Sequence, residues 1–169
     1  MVVGVISLGC DKNRVDTEVI MTALCSRGYE FSGDVSACDI LLVNTCAFLE
    51  SAREESIDAI LEAAAYKHDR CRALVVAGCL PMKYLDELKQ SLPEVDVWLT
   101  PERYESLGDE LDALFERDLV RKSVPSRLLT TPEHYAYLKI SDGCDNFCTY
   151  CLIPYIRGRF RSEETPHCE

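Results

Sequence analysis

Three cysteines crowd the stretch "SDGCDNFCTYC": Cys144, Cys148 and Cys151, at spacings of four and three. Thiolates set this close on one loop can share an inorganic centre, and their number bears on which one. Zinc closes its tetrahedron with four side chains. A 4Fe-4S cubane held by three cysteines leaves its fourth iron open to an exogenous ligand. No fourth cysteine or histidine follows closely. Cys168, with His167 beside it, is the only later candidate to complete an all-cysteine zinc site. On spacing alone both centres stand.

Cys10, Cys46 and Cys79 form a second set. They close "SLGC", "VNTC" and "VAGC", each at the end of a short apolar run. Separated by 36 and 33 positions, they can meet only if the fold brings them together. The alternative is that they are small buried residues, as free cysteines often are. Cys25, Cys38 and Cys71 lack such placement, and burial or incidental exposure suits them better.

The elements that would position these residues are legible. "VVGVISL", "DILLVNT", "ALVVAG" and "VDVWL" are strand-like apolar runs, and helical patterns follow each of them. In the first helix Val15, Val19, Ile20, Ala23 and Leu24 share a face, with Asn13 as N-cap, Asp16 in the first turn and Gly28 at the stop. Ser51 and Glu54 have capping-box spacing ahead of a helix carrying Ile57, Ile60, Leu61 and Ala64. Pro81 opens a helix with Leu85, Leu88 and Leu92, and a last one carries Leu107, Leu111, Leu114 and Phe115. Strands alternating with helices predict an α/β fold, a doubly wound parallel sheet covered on both faces. All strand ends of one polarity then lie along one edge, where ligands bind. Cys10, Cys46 and Cys79 converge there, and Gly9 and Gly78 let the backbone turn beside a bulky group.

These units fill residues 1–117. Residues 118–133 lose periodicity, contain Pro125 and Pro132, and read as a linker. "HYAYLKIS" resumes as a strand that leads into the Cys144 loop, so 134–169 begins a second unit.

The 169 residues suffice for one ordinary domain and the start of another. Net charge is −11, and the imbalance is local: 22 acidic against 11 basic residues through Arg117, seven of each thereafter. Such a body argues against direct nucleic-acid binding through phosphates and suits a basic protein partner; a solvated acidic surface is the plainer account. No run reaches the ~18 apolar residues of a membrane helix, and "MVVGVISLGC" lacks the positive flank of a targeting peptide. The expectation is a cytoplasmic chain, where ten cysteines point to metal before disulfides.

Cys-x3-Cys-x2-Cys with Tyr150 before the last cysteine resembles the signature of the radical S-adenosylmethionine superfamily. "SLGCDKNRVDTE", "NTCAFLESAREESIDAI", "AGCL" and "TTPEHYAYLKISDGCDNFCTYCLIPYIRGRFRS" together resemble the methylthiotransferases. Two branches compete, one modifying an adenosine of transfer RNA, the other an aspartate of protein twelve of the small ribosomal subunit. The transfer-RNA branch typically reads "GCQMN" and "NTCxVR". Lys12-Asn13, Val15-Asp16 and "NTCAFLESAREES" are similar instead to the ribosomal-protein branch.

The resemblance implies two 4Fe-4S clusters, one on Cys10, Cys46 and Cys79 and one on Cys144, Cys148 and Cys151. It implies S-adenosylmethionine on the open iron of the second, with Tyr150 beside the adenine. The implied reaction is methylthiolation of an unactivated β-carbon, with an electron donor such as a flavodoxin or ferredoxin. Asn44 and Thr45, beside a ligand, would bond to the first centre or shape its turn. Arg157-Gly158 matches a family motif and reads as a solvated or interdomain arginine. The superfamily's (β/α) barrel needs roughly 200 residues, so the chain is expected to be truncated within it and inactive alone. A bare iron–sulfur or zinc-binding fragment is the alternative outside catalysis.

Overall fold

The computed structural model describes residues 1–118 and 120–163. Five strands form one all-parallel sheet: β1 (Val2–Ser7), β2 (Glu30–Ser32), β3 (Ile40–Thr45), β4 (Ala73–Gly78) and β5 (Val97–Trp98), in the order β2-β1-β3-β4-β5. Both central strands, β3 and β4, are buried at every position. That is why they read as unbroken apolar runs without alternation. Their register pairs Ile40 with Ala73 through Thr45 with Gly78. One step beyond the ladder, the same offset sets Cys46 beside Cys79.

Helices cover both faces, as the doubly wound reading requires. On one side α1 (Asp11–Ser26) and α4 (Leu107–Leu114) bury Ile20, Leu24, Leu107 and Leu111 against Leu42 and Val75. On the other, α2 (Glu50–Ala65) and α3 (Cys79–Ser91) bury Ile60, Ala63, Leu80 and Leu88 against Leu41, Val43 and Val76. Alternate residues of one strand thus feed two cores. Each fully buried Leu or Ile contributes about 1.5–3 kcal/mol.

Local expectations fare unevenly. Gly28, at φ +76°, ends α1: its N–H bonds Cys25 O and the Tyr29 N–H bonds Leu24 O, a Schellman closure. Asn13 is not the N-cap. The helix starts at Asp11 with Cys10 at the cap position, and no side chain caps it. The Ser51–Glu54 capping box does not form either, because α2 begins two residues earlier than that cap requires, at Glu50 with Leu49 at the cap position. Leu61 and Leu114 fall on exposed faces, while Ser56 and Asp112 take buried positions on the same helices. Cys79, not Pro81, opens α3, and Tyr84 interrupts its regular geometry.

Residues 120–131 carry no regular element but are pinned along α1. The Lys122 N–H donates to Ser26 O (2.7 Å), Leu128 N–H to Thr22 Oγ1 (2.7 Å) and Thr130 N–H to Glu18 Oε1 (2.8 Å). The strand expected over "HYAYLKIS" is absent from 134–140, where Leu138 and Ile140 are exposed. A strand needs a neighbour for its backbone groups, and this stretch joins a ladder only at β6 (Ser141–Asp142), antiparallel to β7 (Arg161–Ser162). Between them lie the cysteine loop and the short α5 (Ile153–Ile156). No strand–helix unit of a barrel is formed among the described residues after α4. No helix among them is long and apolar enough to cross a membrane.

Candidate functional site

β1, β3 and β4 deliver the first three cysteines to the carboxyl edge of the sheet, beside the β1–β3 boundary where the strand order reverses. Cys46 and Cys79 follow their strands directly and are buried; Cys10 lies three residues past β1 and is exposed. Two glycines make the approach possible. Gly9 has φ +92°, and a Cβ there would press on Cys46 Cβ and Asn13 Nδ2, each 3.0 Å away. Gly78 has φ +93°, and a Cβ there would run into Asn44 Oδ1 and Thr45 O.

Asn13 stands at the middle of this edge. Its Nδ2 donates to Leu8 O (3.1 Å) and Thr45 O (2.8 Å), holding both cysteine-bearing turns. Its Oδ1 lies 3.6 Å from Cys79 Sγ and 4.0 Å from Cys10 Sγ. Asn44 Nδ2 donates to Asn13 O (2.7 Å) and Thr17 Oγ1 (2.8 Å), and Thr45 Oγ1 donates to Ala77 O (2.6 Å). Of the two roles open to Asn44 and Thr45, these bonds fit the shaping of turns. Asn44 Oδ1 is buried without a hydrogen-bond partner among the described residues, a cost that a buried polar atom carries only where packing holds it. Ser56, on α2, accepts from the Cys46 N–H (3.0 Å) and adds a second hold on the Cys46 turn.

Arg157 closes the edge and is buried, not solvated. Its Nη2 bonds Asp16 Oδ2 and Asn13 Oδ1, both at 2.9 Å, and approaches Cys79 Sγ to 3.7 Å; Nη1 lies 3.2 Å from Asp142 Oδ2. Lys139 Nζ joins Asp142 Oδ2 (3.0 Å) and Asp16 Oδ1 (3.3 Å). Burial alone would raise the Asp142 carboxyl; the charges of Lys139 and Arg157 outweigh it and hold it at about 2. Burial pushes the Cys79 thiol up, and Arg157 counters that only in part.

The second cysteine set occupies the loop between β6 and α5. Cys144 and Cys151 are half-buried and Cys148 is exposed. The Cys144 N–H bonds Gly158 O (3.1 Å), and the Cys151 N–H bonds Cys148 O (3.0 Å) in a tight turn. Gly143, at φ +73°, brings its backbone against Arg159 O, and Phe147 adopts φ +47°. Tyr150 is 84% exposed.

Among the described residues no three His, Cys, Asp or Glu side chains are gathered as one metal ion requires. A tetrahedral zinc with Zn–S of about 2.3 Å needs sulfurs about 3.8 Å apart. Ligands of three separate irons are spread wider. Three thiols at a backbone-lined edge, with an N–H donor near one sulfur, are a soft donor set that fits an iron–sulfur cluster. The proposed zinc partners His167 and Cys168 lie outside the described residues. Cys38 and Cys71 sit at the opposite end of the sheet, buried, with their thiols on Asp34 O (3.1 Å) and Ala73 O (3.2 Å); Cys25 is half-buried.

Spacing and topology single out the six cysteines but not Asn13, Asp16, Ser56 and Arg157, which surround the first three. The available signal was polar residues on the inward faces of α1 and α2.

The fold and this edge define a class: a doubly wound parallel-sheet domain with thiols at its switch point, joined to a Cys-x3-Cys-x2-Cys loop. The model of the "Uncharacterized protein family UPF0004" matches residues 2–100, and the chain belongs to that family. Among its curated relatives, the protein of Heliobacterium modesticaldum is 50% identical over 96% of this chain, and that of Clostridium tetani 46% over 95%. That of Trichlorobacter lovleyi is 46% identical over 95%. Each is named "Ribosomal protein uS12 methylthiotransferase RimO". The chain spans 37–38% of the length of these relatives.

Proposed function

We propose that the chain serves a radical S-adenosylmethionine methylthiotransferase acting on an aspartate of small-subunit ribosomal protein twelve. The observation that carries this reading is that Arg157, six residues after Cys151, packs against the Cys79 sulfur of the first cysteine set. The relatives' shared name supports the substrate, and so does the acidic body, since ribosomal proteins are basic. Nothing in the site favours the transfer-RNA branch.

In this reading residues 1–117 form the methylthiotransferase domain, 118–133 a linker and 134–169 the opening of the radical domain. Cys10, Cys46 and Cys79 hold one 4Fe-4S cluster, and Cys144, Cys148 and Cys151 the other. S-adenosylmethionine would bind at the second, with Tyr150 as the residue to receive it. When bound, these groups supply the electron, the sulfur and the means to break a C–H bond that no general base can address. The chain's own residues orient them: Asn13 and Ser56 set the turns that carry the first triad, and Arg157 joins it to the second. An electron donor such as a flavodoxin or ferredoxin, and a cytoplasmic setting, belong to the same proposal.

The test is iron, sulfide and zinc content after anaerobic reconstitution, with electron paramagnetic resonance of the reduced sample. About eight irons per chain are expected, with a signal perturbed by S-adenosylmethionine. Cys148→Ala should remove that perturbation and leave about four irons. Stoichiometric zinc without iron sinks the reading, as does undiminished 5′-deoxyadenosine formation by Cys148→Ala.

A further inference from the structure

Arg157 follows Cys151 by six residues, yet its closest sulfur belongs to the other triad. Two buried carboxylates, Asp16 and Asp142, hold the guanidinium from two sides. An ion triad of that kind accounts for the burial of the charge, because a buried cation is tolerated only when matched. Asp16 takes one of the two N–H groups of Nη2 (2.9 Å); the pairing does not account for the other, which is shared between Asn13 Oδ1 at 2.9 Å and Cys79 Sγ at 3.7 Å. A planar fork held in place by carboxylates keeps that aim, where a lysine ammonium would not.

We propose that Arg157 is a positioning residue that sets the reduction potential of the centre on Cys10, Cys46 and Cys79. It presents an N–H and a fixed positive charge to the Cys79 sulfur from the segment that bears the other triad. Hydrogen bonds to ligand sulfur and nearby positive charge both favour the reduced, more negative state of a cluster. The first centre is therefore easier to reduce when the 139–163 segment is docked, and harder when it lifts away. Asp16 and Asp142 act through Arg157 by holding its orientation. The inference rests on the cluster reading of the first triad.

The experiment is a one-electron redox titration of the full chain, reconstituted anaerobically and followed by electron paramagnetic resonance. It is run in the Cys148→Ala background, so that the first centre's signal is read alone. Iron is counted first: fewer than about four irons per chain overturns the cluster reading and this inference with it. With four irons present, Arg157→Gln is expected to lower the reduction equilibrium at least tenfold, a shift of about 59 mV to more negative potential. Arg157→Lys keeps the charge without the aimed N–H and is expected to shift less, in the same direction. An unmoved midpoint in Arg157→Gln, with iron retained, overturns the role of Arg157 while the cluster reading stands. Should Arg157→Gln fail to fold, an unmoved midpoint in Arg157→Lys overturns it equally. Exposure alone also moves a cluster's potential, so hydrogen exchange across 139–163 is followed in both variants, and a shift in Arg157→Gln seen only together with accelerated exchange there overturns the direct role of Arg157.

Discussion

Asn13 Nδ2 stands 2.8 Å from the carbonyl oxygen of Thr45, a bond that ties the first turn of α1 to the end of β3. The same amide holds Leu8 O, so one buried side chain spans the turns that present Cys10 and Cys46. Asn13→Ala leaves both carbonyls without that donor. The expected loss is about 2–4 kcal/mol, since each buried group deprived of its partner costs about 1–3 kcal/mol. Asn13→Asp turns an acceptor toward two carbonyls and should do no better. Urea denaturation of the iron-free chain reads both, and a midpoint unchanged in Asn13→Ala would show that these bonds carry no net stability.

Gly78 offers a sharper lesion at the same edge. Its φ of +93° and the nearness of Asn44 Oδ1 and Thr45 O exclude a side chain. Gly78→Ala must move the β4–α3 junction, which also moves Cys79. We expect a loss of about 3–5 kcal/mol, at the large end for a single substitution. Iron bound at the first triad should fall with it. A variant that melts like the parent and keeps its iron would show that the turn can relax without cost.

Asp16 tests the junction between the two triads. It accepts from Arg157 (2.9 Å) and Lys139 (3.3 Å) while buried in α1. Asp16→Asn leaves the buried Arg157 and the partly exposed Lys139 with Asp142 as their main counter-charge; breaking a buried pair of this kind costs about 3–5 kcal/mol. The cost should fall on docking, because β3 and β4 are held by a core that does not include Asp16. Hydrogen exchange is expected to speed up across 139–162 and to stay slow in Ile40–Thr45 and Ala73–Gly78. Uniform acceleration through the sheet would mean that the segment and the sheet unfold as one unit.

How far these features were legible follows from the range of the interaction behind each. β1, β3 and β4 were plain because their apolar runs need only local composition, and the meeting of Cys10, Cys46 and Cys79 followed from strand polarity alone. β2 was missed, being three residues long with Glu30 exposed. Asn13 misled because the residue types that cap helices also bridge buried backbone, and sequence does not say which carbonyl an amide will find. The strand expected at 134–140 had the right composition but no neighbour among the described residues. Arg157 and Asp16 are 141 positions apart, and no spacing rule reaches that far.

Tyr29 packs in the core between the sheet and the α1–α4 layer and yields a pH prediction of definite sign. Its ring is buried beneath the Arg117 guanidinium (4.1 Å), and its hydroxyl donates to Asp112 Oδ1 at 2.9 Å. Burial first, and the bond to Asp112 second, push the phenol from 10.0 up to about 12. The folded chain therefore keeps this proton after the unfolded chain has lost it. Below pH 10 the contribution is fully present; between about 10 and about 12 the unfolded state ionises ahead of the folded one, and stability falls. Two pKa units correspond to about 2–3 kcal/mol. Tyr29→Phe should be less stable than the parent at pH 9 by about 1–2 kcal/mol, having lost the bond to Asp112. It should then decline less steeply from pH 10 to 12, so that the two urea midpoints converge. Other tyrosines and the lysines titrate in the same window, but they are common to both proteins and leave the difference untouched. Parallel decline of parent and variant over that interval would place the alkaline lability elsewhere.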